Sequence, residues 1–140
     1  MNRPTLLKAA AIVLACVASG VFAVNLTASS TSKERVFEMR TYTAKPGKTE
    51  AMHKRFRDHT CKLFKKHGMD LIGFWVPQER KDELVYILAF PSKDAAKVSW
   101  KAFQDDPEWK KVYAESHKDG ALVGKVVSTY MDPMDYSDIR

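Results

Sequence analysis

The sequence contains little cysteine: its 140 residues include only Cys16 and Cys61. Cys16 lies in an N-terminal segment that we expect to be removed, which leaves Cys61 alone. No internal disulfide is then possible, so the chain does not belong with the disulfide-stapled secreted domains. On a helical wheel Cys61 falls opposite His59, and we therefore expect it to lie outside the core.

The sequence also lacks the common catalytic motifs. It has no GxSxG, no CxxC, no HExxH and no phosphate-binding loop with its lysine. Serine hydrolysis, thiol exchange, zinc proteolysis and nucleotide hydrolysis therefore have no motif support, and we predict no metal site. No pair of acids is placed by the sequence for acid/base chemistry.

No apolar run reaches the roughly 20 residues of a membrane-spanning helix. The run at residues 9–24 is interrupted by Ser19 and Gly20, follows Arg3 and Lys8, and ends in small residues. This pattern predicts a cleaved signal peptide at residues 1–23, and hence export to a periplasmic or extracellular location. Two alternatives stay open: an uncleaved membrane anchor, or a lipid on Cys16. The membrane is a partner only in these two cases.

The rest of the chain is divided by composition. Residues 24–33 are polar and rich in Ser and Thr, which predicts a linker before a single domain at 34–136 and a short tail at 137–140. The formal net charge is +6, but no Lys/Arg run is interleaved with aromatic residues. We therefore exclude nucleic acid as a partner.

Periodicity predicts the elements of this domain. Strands are predicted at residues 35–43, 70–76, 83–90 and 123–131, and helices at 48–67, from the Ser92 cap to 105, and from Asp106-Pro107 to just before Gly120. In the first helix, an apolar stripe contains Met52, Phe56, His59 and Leu63. Its other side, expected to be solvated, carries Lys54, Arg55, Asp58, Lys62 and Lys65.

The order strand, helix, strand, strand, helix, strand is typical of an α+β, ferredoxin-like βαββαβ subunit. Its helices cover one face of the sheet, yet the two middle strands are apolar at consecutive positions. Such strands are buried on both faces. We therefore expect the uncovered face to bind a second copy of the chain and form a homodimer.

Six motifs in this order resemble the NIPSNAP family of the dimeric α/β-barrel superfamily, and together they span residues 36–136. They are FEMRTYTAKPGK, FRDHT followed by FKKHG, IGFW, LVYILAFPS, SWKAFQDDPEWKKV and MDPMDYS. The resemblance implies a dimeric α/β barrel formed by two sheets. It implies no reaction, because the activity of the family is poorly defined. Related families include cofactor-independent and haem-using enzymes, which is an analogy of fold alone.

Four residues are candidates for ligand binding: His59, Arg40, Tyr42 and Trp75. His59 could donate to a ligand, move a proton or ligate haem iron, or it could be a satisfied core histidine. Arg40, between Glu38 and Tyr42 on its strand face, could bind an anion or pair with Glu38. Trp75 could form the wall of an apolar pocket or pack in the core.

The function predicted from the sequence is binding of a small, partly apolar ligand between the helices and the sheet. We predict no cofactor for this function. One alternative is a small monooxygenase-like or haem-associated oxidoreductase that uses His59. The other is a membrane-tethered interaction module without chemistry.

Overall fold

Regular structure occupies most of residues 35–140, the part of the chain that the computed structural model describes. The predicted signal peptide, linker and lipid site lie outside these residues. The elements are β1 (Val36–Ala44), α1 (Thr49–Arg55), a π-helical segment (Phe56–Thr60), α2 (Cys61–Lys66), β2 (Asp70–Trp75), β3 (Glu83–Phe90), α3 (Lys93–Asp105), α4 (Pro107–Ser116) and β4 (Val123–Met131).

The four strands form one antiparallel sheet in the order β2-β3-β1-β4. The helices lie on one face of the sheet, and a core of buried apolar side chains fills the space between them. Tyr86, Leu88 and Phe64 are almost completely buried there. The predicted α+β, ferredoxin-like fold is therefore confirmed.

Local sequence signals account for the ends of the helices. Gly68 follows α2 with a φ of 73°, a left-handed conformation that glycine adopts without strain. The Ser92 hydroxyl accepts a hydrogen bond of 3.1 Å from the amide of Ala95 and caps α3. Asp106 caps α4, whose first residue is Pro107. None of the helices in this part of the chain has the length and apolarity needed to cross a membrane.

The first helical run, α1 through α2, differs from the prediction in its middle turn. Residues 56–60 form i→i+5 hydrogen bonds, so each residue turns by less than the 100° of an α-helix. Thr60 consequently lies on the buried side, where its hydroxyl donates to the carbonyl of Arg55 at 3.2 Å. His59 is exposed. The predicted position of His59 on the apolar stripe was therefore wrong.

Two other residues of the first helical run also differ from the prediction. Arg55, expected on the solvated side, is buried with 6% of its surface exposed. It precedes the π turn, and its burial comes from packing against α4. Cys61, expected outside the core, is half-buried and packs against core residues, and burial raises the pKa of its thiol. The wheel misplaced Cys61 because it applied one angle to all residues of the helix.

The outer face of the sheet, turned away from the helices, carries partly exposed apolar side chains. Val85 and Ile87 lie in its centre, and Trp75 is 51% exposed beside Gly73, whose α-carbon its indole covers. The chain after β4 returns over one part of this face, where Tyr136 and other tail residues line an apolar cleft. Much of the outer face is therefore apolar and open.

Asp106 connects three elements through its carboxylate. It accepts hydrogen bonds from the amide of Glu108 at 2.7 Å and from Nε2 of His67 at 2.7 Å, and it pairs with Nζ of Lys66 at 2.8 Å. The hydrogen bonds from Lys66 and His67 hold the pKa of this carboxyl well below its ordinary value. The start of α4 is thus fixed to the end of α2.

We expect Asp106→Asn to reduce the dependence of stability on pH in acid. Because the folded-state pKa is lowered, the carboxylate stabilises the fold above its unfolded pKa of about 3.9, and this stabilisation is lost as the pH falls through the folded value. Urea unfolding between pH 6 and about pH 2 measures it. Asp135→Asn, at an exposed position that forms no ion pair among the described residues, is the control. An unchanged slope for Asp106→Asn would contradict the expectation.

Candidate functional site

A cavity of about 250 Å³ lies between the first helical run, α4 and the adjoining strands β1 and β4. Most of its wall is aromatic or aliphatic. The lining residues are Tyr42, Arg55, Phe56, Thr60, Phe64, Phe103, Trp109, Tyr113, His117, Ala121, Val123, Gly124, Lys125 and Val126. Tyr113 and Val126, which are 48% and 44% exposed, mark its open side. We call this space the aromatic cavity.

The aromatic wall is a connected set of rings. Phe56 packs edge-on against Tyr42 at 5.6 Å between ring centroids, and Phe64 packs against Phe103 at 4.9 Å. Phe103 contacts Trp109 at 4.4 Å, and the imidazole of His117 stacks on Tyr113 at 3.9 Å. Packed rings have few alternative rotamers, so the wall is rigid and already formed.

Arg55 is the buried charge of the aromatic cavity. Its guanidinium lies 5.4 Å from the ring centroid of Trp109 and 5.9 Å from that of Tyr113. Nη1 donates to the hydroxyl of Ser116 at 3.3 Å, whereas the buried Nε has no hydrogen-bond partner. The site therefore holds a cation with unused donor capacity.

No carboxylate within residues 35–140 pairs with Arg55, and none lines the aromatic cavity. Burial lowers the pKa of the Arg55 guanidinium, because the charged form loses hydration. Arginine still remains protonated in proteins. Lys125 and His117 are the other basic side chains of the lining. The local charge is therefore positive, which favours an anionic group.

Of the four candidates from the sequence, one lines this cavity and one lies beside it. Tyr42 is part of the wall. Arg40 is on the same face of β1 and contacts the Tyr42 hydroxyl at 3.4 Å, but its main partner is the buried carboxylate of Glu38 at 2.7 Å. Its guanidinium also lies 4.4 Å from the ring centroid of Trp100. Arg40 is therefore paired with Glu38, which is one of the two alternatives that the sequence left open.

The other two candidates lie elsewhere. Trp75 is on the outer face, away from the helices. His59 lines a separate, open groove of about 560 Å³ between the first helical run and α4, with Lys54 and Asp58. Arg55 borders both this groove and the aromatic cavity. In the described part of the chain, no group of three or more His, Cys, Asp or Glu side chains is arranged to hold a metal ion.

Sequence reasoning missed Arg55 because it assigned this residue to the solvated face. One signal was available in α4, where Trp109, Tyr113 and Ser116 share a stripe at helical spacing. Two aromatic faces and a hydroxyl form a suitable environment for a guanidinium. The stripe did not indicate which arginine would occupy it, since this depends on how α1 packs against α4.

Comparison with known proteins agrees with this architecture. The chain is similar to a NIPSNAP family protein of unknown function from Agrobacterium tumefaciens, with 26% identity and a TM-score of 0.68 over 77% of this chain and 96% of the other. A second NIPSNAP family protein from that organism has 19% identity and a TM-score of 0.68, over 76% and 99% of the two chains.

A more distant similarity extends to SnoaB, a cofactor-independent oxygenase from Streptomyces nogalater. It has 12% identity and a TM-score of 0.54, over 76% of this chain and 99% of SnoaB, which is a likeness of fold alone. None of the curated proteins matches the chain. The sequence profile of the NIPSNAP family matches residues 37–138. The chain therefore belongs to the NIPSNAP family.

Proposed function

We propose that this protein is an exported homodimer that binds a small, partly apolar ligand in the aromatic cavity. The observation that carries the proposal is the wall itself: packed rings surround a cavity of about 250 Å³ that contains one buried, incompletely bonded arginine. Apolar pockets with a few placed polar groups are the usual form of small-molecule sites.

The volume limits the size of the ligand. Sites for drug-sized molecules are about 300–1,000 Å³, whereas a cavity of about 150 Å³ accepts benzene. The aromatic cavity therefore suits a single ring with a short substituent. Stacking and edge-on contacts with the wall would favour a flat ring over a flexible chain of equal size.

We expect single-ring compounds to bind to the protein and a blocked cavity to lose this binding. Phenol, benzamide and benzoate are suitable probes, followed by ligand-observed NMR and by calorimetry. Val126→Trp places a large side chain at the open side and should abolish binding. Val98→Trp is the control, because Val98 of α3 is 70% exposed and belongs neither to the lining of the cavity nor to the outer face of the sheet. Equal binding to the two variants, or no binding of any probe to the native protein, would refute the proposal.

The homodimer and export parts of the proposal have separate support. The open apolar side chains of the outer face, including Val85, Ile87 and Trp75, support pairing of two sheets. Export rests on the positive, apolar and small-residue pattern of residues 1–23. Neither part is needed for the binding experiment, which uses the protein in solution.

The two alternative functions stay predictions without a supporting observation. His59 lies in the outer groove, so an oxidoreductase that uses this histidine would have its site there and not in the aromatic cavity. Haem is larger than most drug-sized ligands, and the cavity is smaller than the sites of such ligands. The membrane-tethered module depends on residues outside the described part of the chain.

A further inference from the structure

The bonding of Arg55 gives a more specific identity for the ligand. Nη1 is already used by the Ser116 hydroxyl, while Nε is buried and without a partner. Within residues 35–140, Nη2 makes no hydrogen bond either. Nε is closed off by neighbouring protein atoms, whereas Nη2 is not, so Nη2 is the free donor that a ligand can reach. A guanidinium N–H pairs most strongly with an anionic oxygen, such as that of a carboxylate.

The surroundings of this donor favour a single negative charge. Arg55 is 6% exposed, and no acid of the described chain pairs with its guanidinium. A buried charge without a counter-ion is unfavourable, so a ligand that supplies the counter-ion gains more here than in water. Lys125, the other permanent cation of the lining, is exposed. A ligand with one carboxylate would therefore balance the charge of this single buried cation.

Resting on the proposed function above, we propose that the ligand is an aromatic monocarboxylate, whose carboxylate is bound by Nη2 of Arg55 and whose ring contacts the aromatic wall. Trp109 and Tyr113 hold the guanidinium from one side by cation–π contact. Ser116 binds Nη1, so the guanidinium has a defined position before the ligand binds. Arg55 is thus the residue that determines specificity.

Pairs of nearly isosteric acids and amides test this proposal. Calorimetric titration compares benzoate with benzamide, and phenylacetate with phenylacetamide. We expect the native protein to bind each acid about tenfold more tightly than its amide, or better. Arg55→Met keeps much of the side-chain volume and should remove the preference. The affinity for the acid should fall, and the affinity for the amide should change little. Arg57→Met, an exposed arginine two residues away, is the control for net charge and should retain the preference.

A measurement of thermal stability separates a ligand-binding role of Arg55 from a structural one. Benzoate should raise the melting temperature of the native protein and of Arg57→Met, but not that of Arg55→Met. Without ligand, Arg55→Met should melt no lower than the native protein, since it removes a buried, uncompensated charge. A lower melting temperature together with an unchanged preference for acids would assign Arg55 to the fold and overturn the proposal.

The outcomes also distinguish this inference from the proposed function. If amides and acids bind equally to the native protein and Val126→Trp abolishes both, the cavity binds ligands but the carboxylate assignment is wrong. If phenyl phosphate binds more tightly than benzoate, the assignment is also wrong, because the site then prefers a dianion. If no single-ring compound binds to the native protein, the proposed function is wrong, and the carboxylate assignment is wrong with it.

Discussion

Replacing Glu38 with alanine should lower the free energy of unfolding by about 3–5 kcal/mol, the usual cost of leaving a buried charge unpaired. Glu38 is 1% exposed and accepts three hydrogen bonds: from Nη1 of Arg40 at 2.7 Å, from the indole of Trp100 at 2.6 Å and from the hydroxyl of Ser128 at 2.6 Å. Alanine would leave all these donors without an acceptor. Urea denaturation measures the loss.

A double variant distinguishes the effect of the charge from the effect of lost volume. Glu38→Leu combined with Arg40→Leu removes both members of the ion pair, and it should cost clearly less than Glu38→Ala. In thermal denaturation, the melting temperature of a domain of about a hundred residues falls by about 4–8 °C for each kcal/mol of lost stability. A decrease of less than about 1 kcal/mol for Glu38→Ala would show that water replaces the carboxylate.

A charge in the centre of the outer face should convert the proposed dimer into monomers. Val85 is half-buried in β3 and lies opposite Thr41 of β1 and Trp75 of β2. In a dimer formed through this face, Val85→Lys would bury two unpaired ammonium groups by symmetry, at a cost of several kcal/mol. Multi-angle light scattering at micromolar concentration should then find half the native mass.

The matched control carries the same substitution on the helical side. Val98 of α3 is 70% exposed, so Val98→Lys should leave the mass of the particle unchanged. Circular dichroism of both variants must retain the native spectrum, which excludes unfolding as the cause. A monomeric native protein, or a dimeric Val85→Lys, would rule out this face as the interface.

The strands and the helix caps could be predicted from the sequence because their signals are local. The sequence pattern placed β1 within one residue of its observed bounds, and β3 and β4 at their observed bounds. Gly68, Ser92 and Asp106 marked helix ends through chemistry that depends only on the adjacent backbone. The order of these elements then determined the fold class.

The candidate site could not be predicted in the same way, because it depends on one irregular turn. The difference between an α turn and a π turn at residues 56–60 decides whether His59 or Thr60 faces the core. No residue within FRDHT distinguishes the two turns. Arg55 precedes this turn, and it is buried by the side chains of α4 that it contacts. The sequence therefore indicated a cavity between helices and sheet and the role of Tyr42 in its wall, but not its buried cation.

A bulge in β2 explains part of the apolar run that we interpreted as a strand buried on both faces. The register shifts between Leu71 and Gly73, so Ile72 is an extra residue in the strand. Leu71 and Phe74 both pack against the core although they are three positions apart. Part of the apolar run thus reflects this irregularity, and the outer face owes its apolar character mainly to β3 and Trp75.

The hydrogen bond between Arg35 and Arg140 indicates that the fold could be circularly permuted. Nε of Arg35 donates to the carbonyl of Arg140 at 2.9 Å, so the two ends of the described domain lie within one side chain of each other. A short Gly/Ser linker could therefore join them in a circular permutant, with new termini in the exposed turn at residues 77–81. The pairing of the strands and the lining of the aromatic cavity would be kept, because neither involves residues 77–81.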